Sequence, residues 1–149
     1  MTAHEFSSSD FEILDQTTEY QGHLKVSTLR LKHKLFAGGW SGEIRRECVE
    51  CGEAVSVVLY DSKQDAVVLV EQFRVGAYQS DNPWMLECVA GVVEPGEDYA
   101  AVAQRETEEE AGLIIRNPRL IYQYYTTAGI CSEKVSLFYA ECDSSQAKP

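Results

Sequence analysis

The residues best suited to chemistry in this chain are the carboxylates of one short acidic segment. Residues 91–113 read "GVVEPGEDYAAVAQRETEEEAGL" and include a single cation, Arg105. The acidic members of the segment are Glu94, Glu97, Asp98, Glu106, Glu108, Glu109 and Glu110. Because like charges three or four residues apart on a helix repel one another, so much negative charge needs a physical reason.

The second half of this segment predicts a helix with two carboxylates on its inward face. We expect the helix to run from about Asp98 to Ala111 and to end at Gly112 as a left-handed cap. At about 100° per residue, the inward face comprises Tyr99, Val102, Ala103, Glu106 and Glu110. Glu109 lies at the edge of that face, and Glu108 points away from it.

The inward carboxylates are open to two interpretations. Most runs of charged residues form a solvated face, and this helix could be one of them. However, Glu106 and Glu110 are in phase with the apolar residues, and burying carboxylates is costly unless a cation neutralises them. A hard divalent cation such as Mg²⁺ takes carboxylate and carbonyl oxygens as ligands. The helical phase therefore favours a metal site over a solvated face.

The segment resembles the Nudix box, a pattern of glycine, five residues, glutamate, seven residues and Arg-Glu-x-x-Glu-Glu-x-Gly-aliphatic. Its fixed positions are filled by Gly91, Glu97, Arg105, Glu106, Glu109, Glu110, Gly112 and Leu113. Thr107 departs from the pattern, because an aliphatic residue is usual there. Eight fixed positions make the pattern far more specific than a lone glycine motif. The resemblance implies a hydrolase that cleaves a nucleoside diphosphate linked to another group, using Mg²⁺ or Mn²⁺.

The same resemblance implies roles for the residues of the box. Glu106 and Glu110 would be the main metal ligands, with Glu109 in support. Arg105 would hold these catalytic carboxylates in place. The carbonyl of Ala90, which directly precedes the box, would be a further metal ligand. The expected chemistry is metal-assisted attack of water on the diphosphate.

Two further stretches resemble the ADP-ribose pyrophosphatase branch of the family, namely "LFAGGWSGEIRRE" and "VVLVEQFRVGAYQSDNPWMLECVAG". In that branch the N-terminal strands pair two subunits, which implies a homodimer. By position, Arg46 and Glu47 would contact the adenine in the partner's active site. Arg74 would bind the diphosphate, and Glu87 would lie near the terminal ribose. The implied products are AMP and ribose 5-phosphate.

The sequence is also compatible with other functions. Ala128 stands where the branch usually has a proline, so the substrate could be another nucleoside diphosphate sugar such as GDP-mannose. A non-catalytic nucleotide-binding module that keeps the acidic helix is a third alternative. The general base is not assigned, although by analogy Glu133 lies in a loop on the substrate side.

The fold class implied by the resemblance is α/β, a Nudix-type α/β/α sandwich with a mixed sheet. A small antiparallel β-domain for dimerisation (residues 1–52) would precede the catalytic domain (residues 53–149). The alternation in "LRLKHKLF" predicts a half-buried strand, and "AVSVVLYD" with "AVVLVEQF" predicts a hairpin buried on both faces. Further strands are predicted at "EIRRECVE", "MLECVAG", "RLIYQYYT" and "KVSLFYAEC". Because relatives continue for several dozen residues, we expect a C-terminal covering layer to be missing from these 149 residues.

The composition of the chain restricts its possible binding partners and favours one cellular compartment. The net charge of −11 argues against general binding to nucleic acid or to anionic membranes, and no apolar run approaches membrane-spanning length. The first residues lack the features of a secretory signal. Five cysteines at irregular spacing favour a reducing cytoplasm over a disulfide scaffold. Cys48 and Cys51 form only half of a zinc site, because no second pair follows at workable spacing.

Overall fold

The computed structural model describes residues 6–147, which form two compact units. The first unit extends to Cys51 and also includes Thr126–Glu133. The second unit comprises Gly52–Tyr125 and the described chain from Lys134 onward. Within residues 6–147, no helix combines the length and the apolar character needed to cross a bilayer.

The first unit is built on a three-stranded antiparallel sheet of order β1-β2-β3. Its strands are β1 (Phe11–Gln21), β2 (Lys25–His33) and β3 (Ile44–Glu50). The small antiparallel N-terminal sheet is therefore confirmed. A glycine-rich turn lies between β2 and β3, and Gly38 and Gly39 adopt φ values of 87° and 79° there. Such backbone conformations are readily adopted only by glycine.

Polar contacts take a large part in holding this first sheet together. Among its described residues, the buried ones are Ser27 and Thr28, both on β2. The carboxylate of Glu50 on β3 accepts hydrogen bonds from the Ser27 hydroxyl, from Lys25 Nζ at 2.7 Å and from Gln16 Nε2 at 2.9 Å. These bonds, that of Lys25 foremost, lower the pKa of Glu50. One ionised side chain of β3 thus adds side-chain hydrogen bonds to both other strands, beside the backbone pairing of the sheet.

The second unit contains a mixed sheet of order β5-β4-β10-β9, with β8 also paired to β4. Its strands are β4 (Glu53–Asp61), β5 (Ala66–Val68), β8 (Val89–Val93), β9 (Arg119–Tyr125) and β10 (Lys134–Glu141). β10 runs parallel to β4, whereas the other pairs are antiparallel. The predicted mixed sheet is confirmed. β9 is exposed along its whole length.

Two predicted strands are wrong as single elements. The stretch "AVVLVEQF" divides at Leu69 into β5 and β6 (Val70–Phe73), and "MLECVAG" lies across β7 (Trp84–Glu87) and β8 with a break at Cys88. Within the part of the chain that the structure describes, β6 and β7 pair only with each other, in a separate two-stranded sheet. Each stretch thus changes its pairing partner at one residue, which an unbroken apolar run cannot reveal. The expected burial of both faces is also wrong, because β5 and β6 are largely exposed.

The core of the second unit lies between the mixed sheet and helix α1 (Tyr99–Ala111). On β4 every second side chain is fully buried, namely Val55, Val57, Leu59 and Asp61. The helix adds Val102, Ala103 and Ala111, and β10 adds Phe138 and Ala140. Fully burying a valine or leucine side chain contributes about 1.5–3 kcal/mol. This packing anchors the helix that carries the acidic residues.

Candidate active site

The acidic helix has the bounds and caps that its sequence predicts. It begins after Asp98, whose side chain accepts a hydrogen bond of 2.9 Å from the backbone N–H of Ala101. It ends at Gly112, which has φ 63° and donates its N–H to the carbonyl of Glu108 at 3.0 Å. An aspartate N-cap and a left-handed glycine cap satisfy backbone groups that the helix itself cannot pair.

The helical phase is also as predicted, with one addition. Glu106 and Glu110 are half-buried, whereas Glu108 and Glu109 are exposed. The addition is Thr107, which is fully buried. Its hydroxyl donates to the carbonyl of Ala103, four residues earlier, at 2.7 Å. Because this bond satisfies the hydroxyl, a threonine is accommodated on the apolar face where the Nudix pattern usually has an aliphatic residue.

Arg105 lies among three carboxylates. Its Nη1 is 2.7 Å from Glu106 Oε1 and 3.5 Å from Glu109 Oε2, and its Nη2 is 3.8 Å from Glu97 Oε2. The Glu106 side chain is only 13% exposed, so its contact with Arg105 is the least solvated of the three. The single cation of the segment therefore offsets part of the repulsion among its carboxylates.

Gly91 leaves the space that the Glu106 carboxylate occupies. A Cβ atom at position 91 would lie 2.1 Å from Glu106 Cδ, so any side chain there would displace the carboxylate. Burial raises the pKa of Glu106, Arg105 opposes this effect, and the negative charges of Glu109 and Glu110 add to it. The carboxylate thus lies against the β8 backbone in an environment that favours added positive charge.

Glu110 is held by two strands. Its Oε1 accepts a hydrogen bond of 2.6 Å from Gln72 Nε2 on β6, and its Oε2 accepts one of 3.2 Å from the N–H of Ala90 on β8. The structure therefore brings the backbone of Ala90 next to Glu110 through its N–H, and the role of the Ala90 carbonyl as a metal ligand stays a prediction. Gln72 was not among the predicted site residues. The sequence could have indicated Gln72, because it lies two positions after Val70 and therefore shares the more buried face of the strand with it.

Arg74 and Glu87 contact each other at the β6–β7 hairpin. Arg74 Nη2 and Nε lie 2.6 and 2.8 Å from Glu87 Oε2. The hydrogen bond with Glu87 raises the pKa of Arg74, burial opposes it, and the charges of Glu87 and then Glu110 add to it. Arg74 thus lies within the electrostatic influence of the acidic helix.

Arg46 and Glu47 belong to the first unit, on β3. Both are exposed, and Arg46 Nη1 donates to the carbonyl of Arg45 at 2.8 Å. They line a cavity of about 350 Å³ whose wall also includes Ala128, Gly129 and Ile130. Glu133, in the same unit, accepts a hydrogen bond of 2.9 Å from the Thr126 hydroxyl.

The chemistry of the acidic cluster suits a hard divalent cation. Among residues 6–147, no three acidic, cysteine or histidine side chains are already arranged around a common point as metal ligands. Instead, Arg105 contacts one oxygen of Glu106, and Gln72 and the Ala90 N–H each bind one oxygen of Glu110. These oxygens are nevertheless the donor type that Mg²⁺ and Mn²⁺ prefer, and Gly91 keeps one side of the Glu106 carboxylate free of a side chain. Each carboxylate oxygen has two lone pairs, so a cation would bind these oxygens alongside their hydrogen-bond donors.

Comparison with known proteins identifies the family. A family model for the NUDIX domain matches residues 52–149, about two thirds of the chain. The chain belongs to the Nudix family. This Nudix protein is 46% identical over 147 residues to an ADP-ribose pyrophosphatase of Haemophilus influenzae, covering 96% of this chain and 68% of that protein.

Two more distant similarities were found. A GDP-mannose pyrophosphatase of Cronobacter sakazakii is 32% identical over 101 residues, which is 66% of this chain and 52% of that protein. A crystal structure of an ADP compounds hydrolase superposes with a TM-score of 0.69 at 20% identity, covering 97% of this chain and 72% of that one. At that identity the structural match shows the shared fold alone.

Proposed function

We propose that this Nudix protein hydrolyses the diphosphate of ADP-ribose to AMP and ribose 5-phosphate, with Mg²⁺ or Mn²⁺ as cofactor. The observation that carries the proposal is the 46% identity to the Haemophilus influenzae ADP-ribose pyrophosphatase over 96% of the chain. The geometry of the acidic helix supports it, because Glu106 and Glu110 are turned towards the strands while Glu108 is solvated.

The catalytic roles are distributed over the second unit. Glu106 and Glu110, with Glu109 in support and the carbonyl of Ala90, would hold the cation. When bound, the cation would polarise phosphoryl oxygens and lower the pKa of bound water. Arg105 would keep Glu106 and Glu109 in position through the contacts described above. In the reaction, one water adds across the P–O–P bridge and leaves a phosphate group on each product.

The remaining residues would bind the substrate. Arg74 would contact the diphosphate, because a guanidinium offers paired donors to phosphate oxygens. It would then exchange part of its contact with Glu87 for the substrate, which would leave the Glu87 carboxylate free to accept from a ribose hydroxyl. Arg46 and Glu47 would contact the adenine in the active site of a second subunit.

The proposed assembly is a homodimer through the N-terminal strands, with the first unit dimerising and the second catalysing. Support comes from β1, which exposes apolar side chains including Phe11, Ile13, Leu14 and Tyr20. Exposed apolar patches on a soluble domain commonly mark interfaces. The proposed compartment is the cytoplasm, because all five cysteines are free thiols.

A second candidate is a hydrolase of another nucleoside diphosphate sugar. The similarity to the GDP-mannose pyrophosphatase favours it, as does Ala128 in place of the usual proline. A hydrolysis screen with Mg²⁺ over ADP-ribose, GDP-mannose, NADH and diadenosine polyphosphates separates the candidates. We expect the highest kcat/KM for ADP-ribose, and Glu110→Gln should abolish it.

Two other outcomes of the substrate screen would contradict hydrolysis of ADP-ribose as the main activity. A higher kcat/KM for GDP-mannose would support the second candidate. Nucleotide binding without turnover of any of these substrates would indicate a non-catalytic module.

A further inference from the structure

Cys51 and Cys131 lie side by side in the first unit, although they are 80 positions apart in the sequence. Their Sγ atoms are 3.2 Å apart, and the Cys131 thiol donates to Cys51. Both cysteines are free and only partly buried, so a small reagent can reach them. The S–S bond of a disulfide measures about 2.05 Å, and the sulfurs must therefore approach by only about 1 Å.

Hydrogen bonds of the backbone and of the Ser132 hydroxyl hold the two cysteines together independently of their sulfurs. Val49 donates its N–H to the carbonyl of Ile130 at 2.8 Å, and Ser132 donates its N–H to the carbonyl of Val49 at 3.0 Å. The Ser132 hydroxyl accepts from the Cys51 N–H at 2.9 Å and donates to the Cys51 carbonyl at 3.0 Å. These four bonds flank Cys131 and connect its segment to the end of β3.

We propose that Cys51 and Cys131 form a redox modification site, which an oxidised low-molecular-weight disulfide converts to an intramolecular disulfide. One cysteine loses its proton and attacks a sulfur of the reagent, forming a mixed disulfide and releasing one small thiol. The other cysteine then loses its proton and attacks the protein sulfur of that mixed disulfide, which forms the Cys51–Cys131 bond and releases the second small thiol. The protein is oxidised by two electrons, and the reagent is reduced by two.

The other cysteines are less well placed for this reaction. All five cysteines are within the described residues, and Cys51 with Cys131 is the one pair whose sulfurs are in contact. Cys48 is near, but its thiol points to the carbonyl of Val49 at 3.6 Å. The hydrogen bond with the Cys131 thiol is the main cause that raises the pKa of Cys51 to about 11, and burial is the second. The raised pKa disfavours the Cys51 thiolate, so the exchange should become faster as the pH increases.

The disulfide would join two segments of the first unit that are far apart along the chain. Most of the second unit lies between them in sequence. The intervening residues include β4 to β9 and the acidic helix. Closing so long a loop restricts the unfolded chain strongly, and we expect Tm to rise by about 5–10 °C. Cys131 also directly follows residues 128–130, which line the cavity beside Arg46 and Glu47.

The test uses the full chain and a variant that keeps only the two proposed cysteines. The wild type and the triple variant Cys48→Ser/Cys88→Ser/Cys142→Ser are reduced, freed of reductant and treated with glutathione disulfide near pH 8. We expect an intact mass lower by two hydrogens, a crosslinked peptide that joins Cys51 to Cys131, a higher Tm, and full reversal by dithiothreitol. Cys51→Ser and Cys131→Ser, treated in the same way, should give neither the crosslinked peptide nor the higher Tm.

Several results would overturn the proposal. These are a mixed glutathione disulfide that persists on both cysteines, a crosslink of either one to Cys48, a disulfide between chains, or two unmodified thiols after prolonged treatment. An unchanged Tm despite a mapped bond would overturn the stabilising effect. Peptide mapping of the oxidised wild type gives the same answer should the triple variant fail to fold.

Discussion

Gln72 on β6 donates a hydrogen bond of 2.6 Å to Glu110 on α1, and so connects the two-stranded sheet to the acidic helix. The N–H of Ala90 on β8 binds the other carboxylate oxygen at 3.2 Å. The second inward carboxylate of the helix is therefore oriented by donors from two different strands. Such outer contacts commonly fix the orientation of ligands in metal sites.

Replacing Gln72 by leucine should impair the site without unfolding the protein. Loss of one hydrogen bond to a charged group corresponds to about 1.5–3 kcal/mol, so we expect turnover to fall about tenfold or more. The Mg²⁺ concentration for half-maximal activity should rise as well. Steady-state kinetics across a Mg²⁺ titration measure both effects. Gln64→Leu, in an exposed turn, is the matched control, and equal kinetics of the two variants would show that Gln72 does not orient Glu110.

Removing the charge of Glu106 should separate activity from stability. We expect Glu106→Gln to lower kcat by about two orders of magnitude or more, since a cation ligand is lost. Without metal it should raise Tm slightly, because burial raises the pKa of Glu106 and a neutral side chain is favoured there. Activity assays and thermal unfolding in a chelator test both parts. Glu108→Gln, on the solvated face of the same helix, should change neither, and undiminished activity of Glu106→Gln would refute the site.

A methyl group at Gly91 should displace the Glu106 carboxylate. The new Cβ would lie 2.1 Å from Glu106 Cδ, the end of a flexible side chain that can move away. We therefore expect kcat of Gly91→Ala to be at least about tenfold lower than that of the wild type. Its free energy of unfolding should fall by only about 1–3 kcal/mol. Gly42→Ala is the control, because no heavy atom lies within 4 Å of its added Cβ. Full activity of Gly91→Ala would mean that the carboxylate position is unimportant.

Stability in acid should depend on Asp61. This carboxylate accepts hydrogen bonds from the Ser144 hydroxyl at 2.6 Å and the Ser144 N–H at 2.8 Å, and from the N–H groups of Lys63 and Gln64 at 2.9 and 3.3 Å. These bonds, led by the Ser144 hydroxyl, lower the pKa of Asp61 from 3.8 to about 2.

Because the folded-state pKa of Asp61 is below the unfolded value, the unfolded state binds the proton more readily. The contribution to stability is complete above about pH 4 and disappears as pH falls towards about 2. Urea unfolding between these values should therefore show a smaller loss of stability for Asp61→Asn than for the wild type. Asp81→Asn, in an exposed loop, should follow the wild type. Parallel profiles for Asp61→Asn and the wild type would contradict the assignment.

The proposed dimer should be detectable at micromolar concentration. Phe11→Lys/Ile13→Lys places two charges on the exposed apolar surface of β1, and we expect it to dissociate the dimer. Analytical ultracentrifugation measures the association state. Val67→Lys, which also replaces an exposed apolar side chain but in the second unit, should leave the dimer intact. A monomeric wild type would exclude this assembly.

The acidic helix shows what the sequence by itself determined. Its start at Asp98, its end at Gly112 and the inward phase of Glu106 and Glu110 all match the structure. Each depends on caps and on the 3.6-residue period, which involve residues within a few positions of one another. The same local logic predicted strands at "EIRRECVE", "RLIYQYYT" and "KVSLFYAEC", which correspond to β3, β9 and β10.

Only the tertiary structure decided which distant residues meet. The hydrogen bond from Gln72 to Glu110 and the contact of Cys51 with Cys131 join positions that are far apart in sequence. The change of pairing partner at Leu69 likewise depends on which distant strand lies alongside. An apolar run is compatible with several pairing partners, and its period does not distinguish among them. The energy that selects one partner comes from the packing and hydrogen bonds of the assembled sheets, which exist only once the chain has folded.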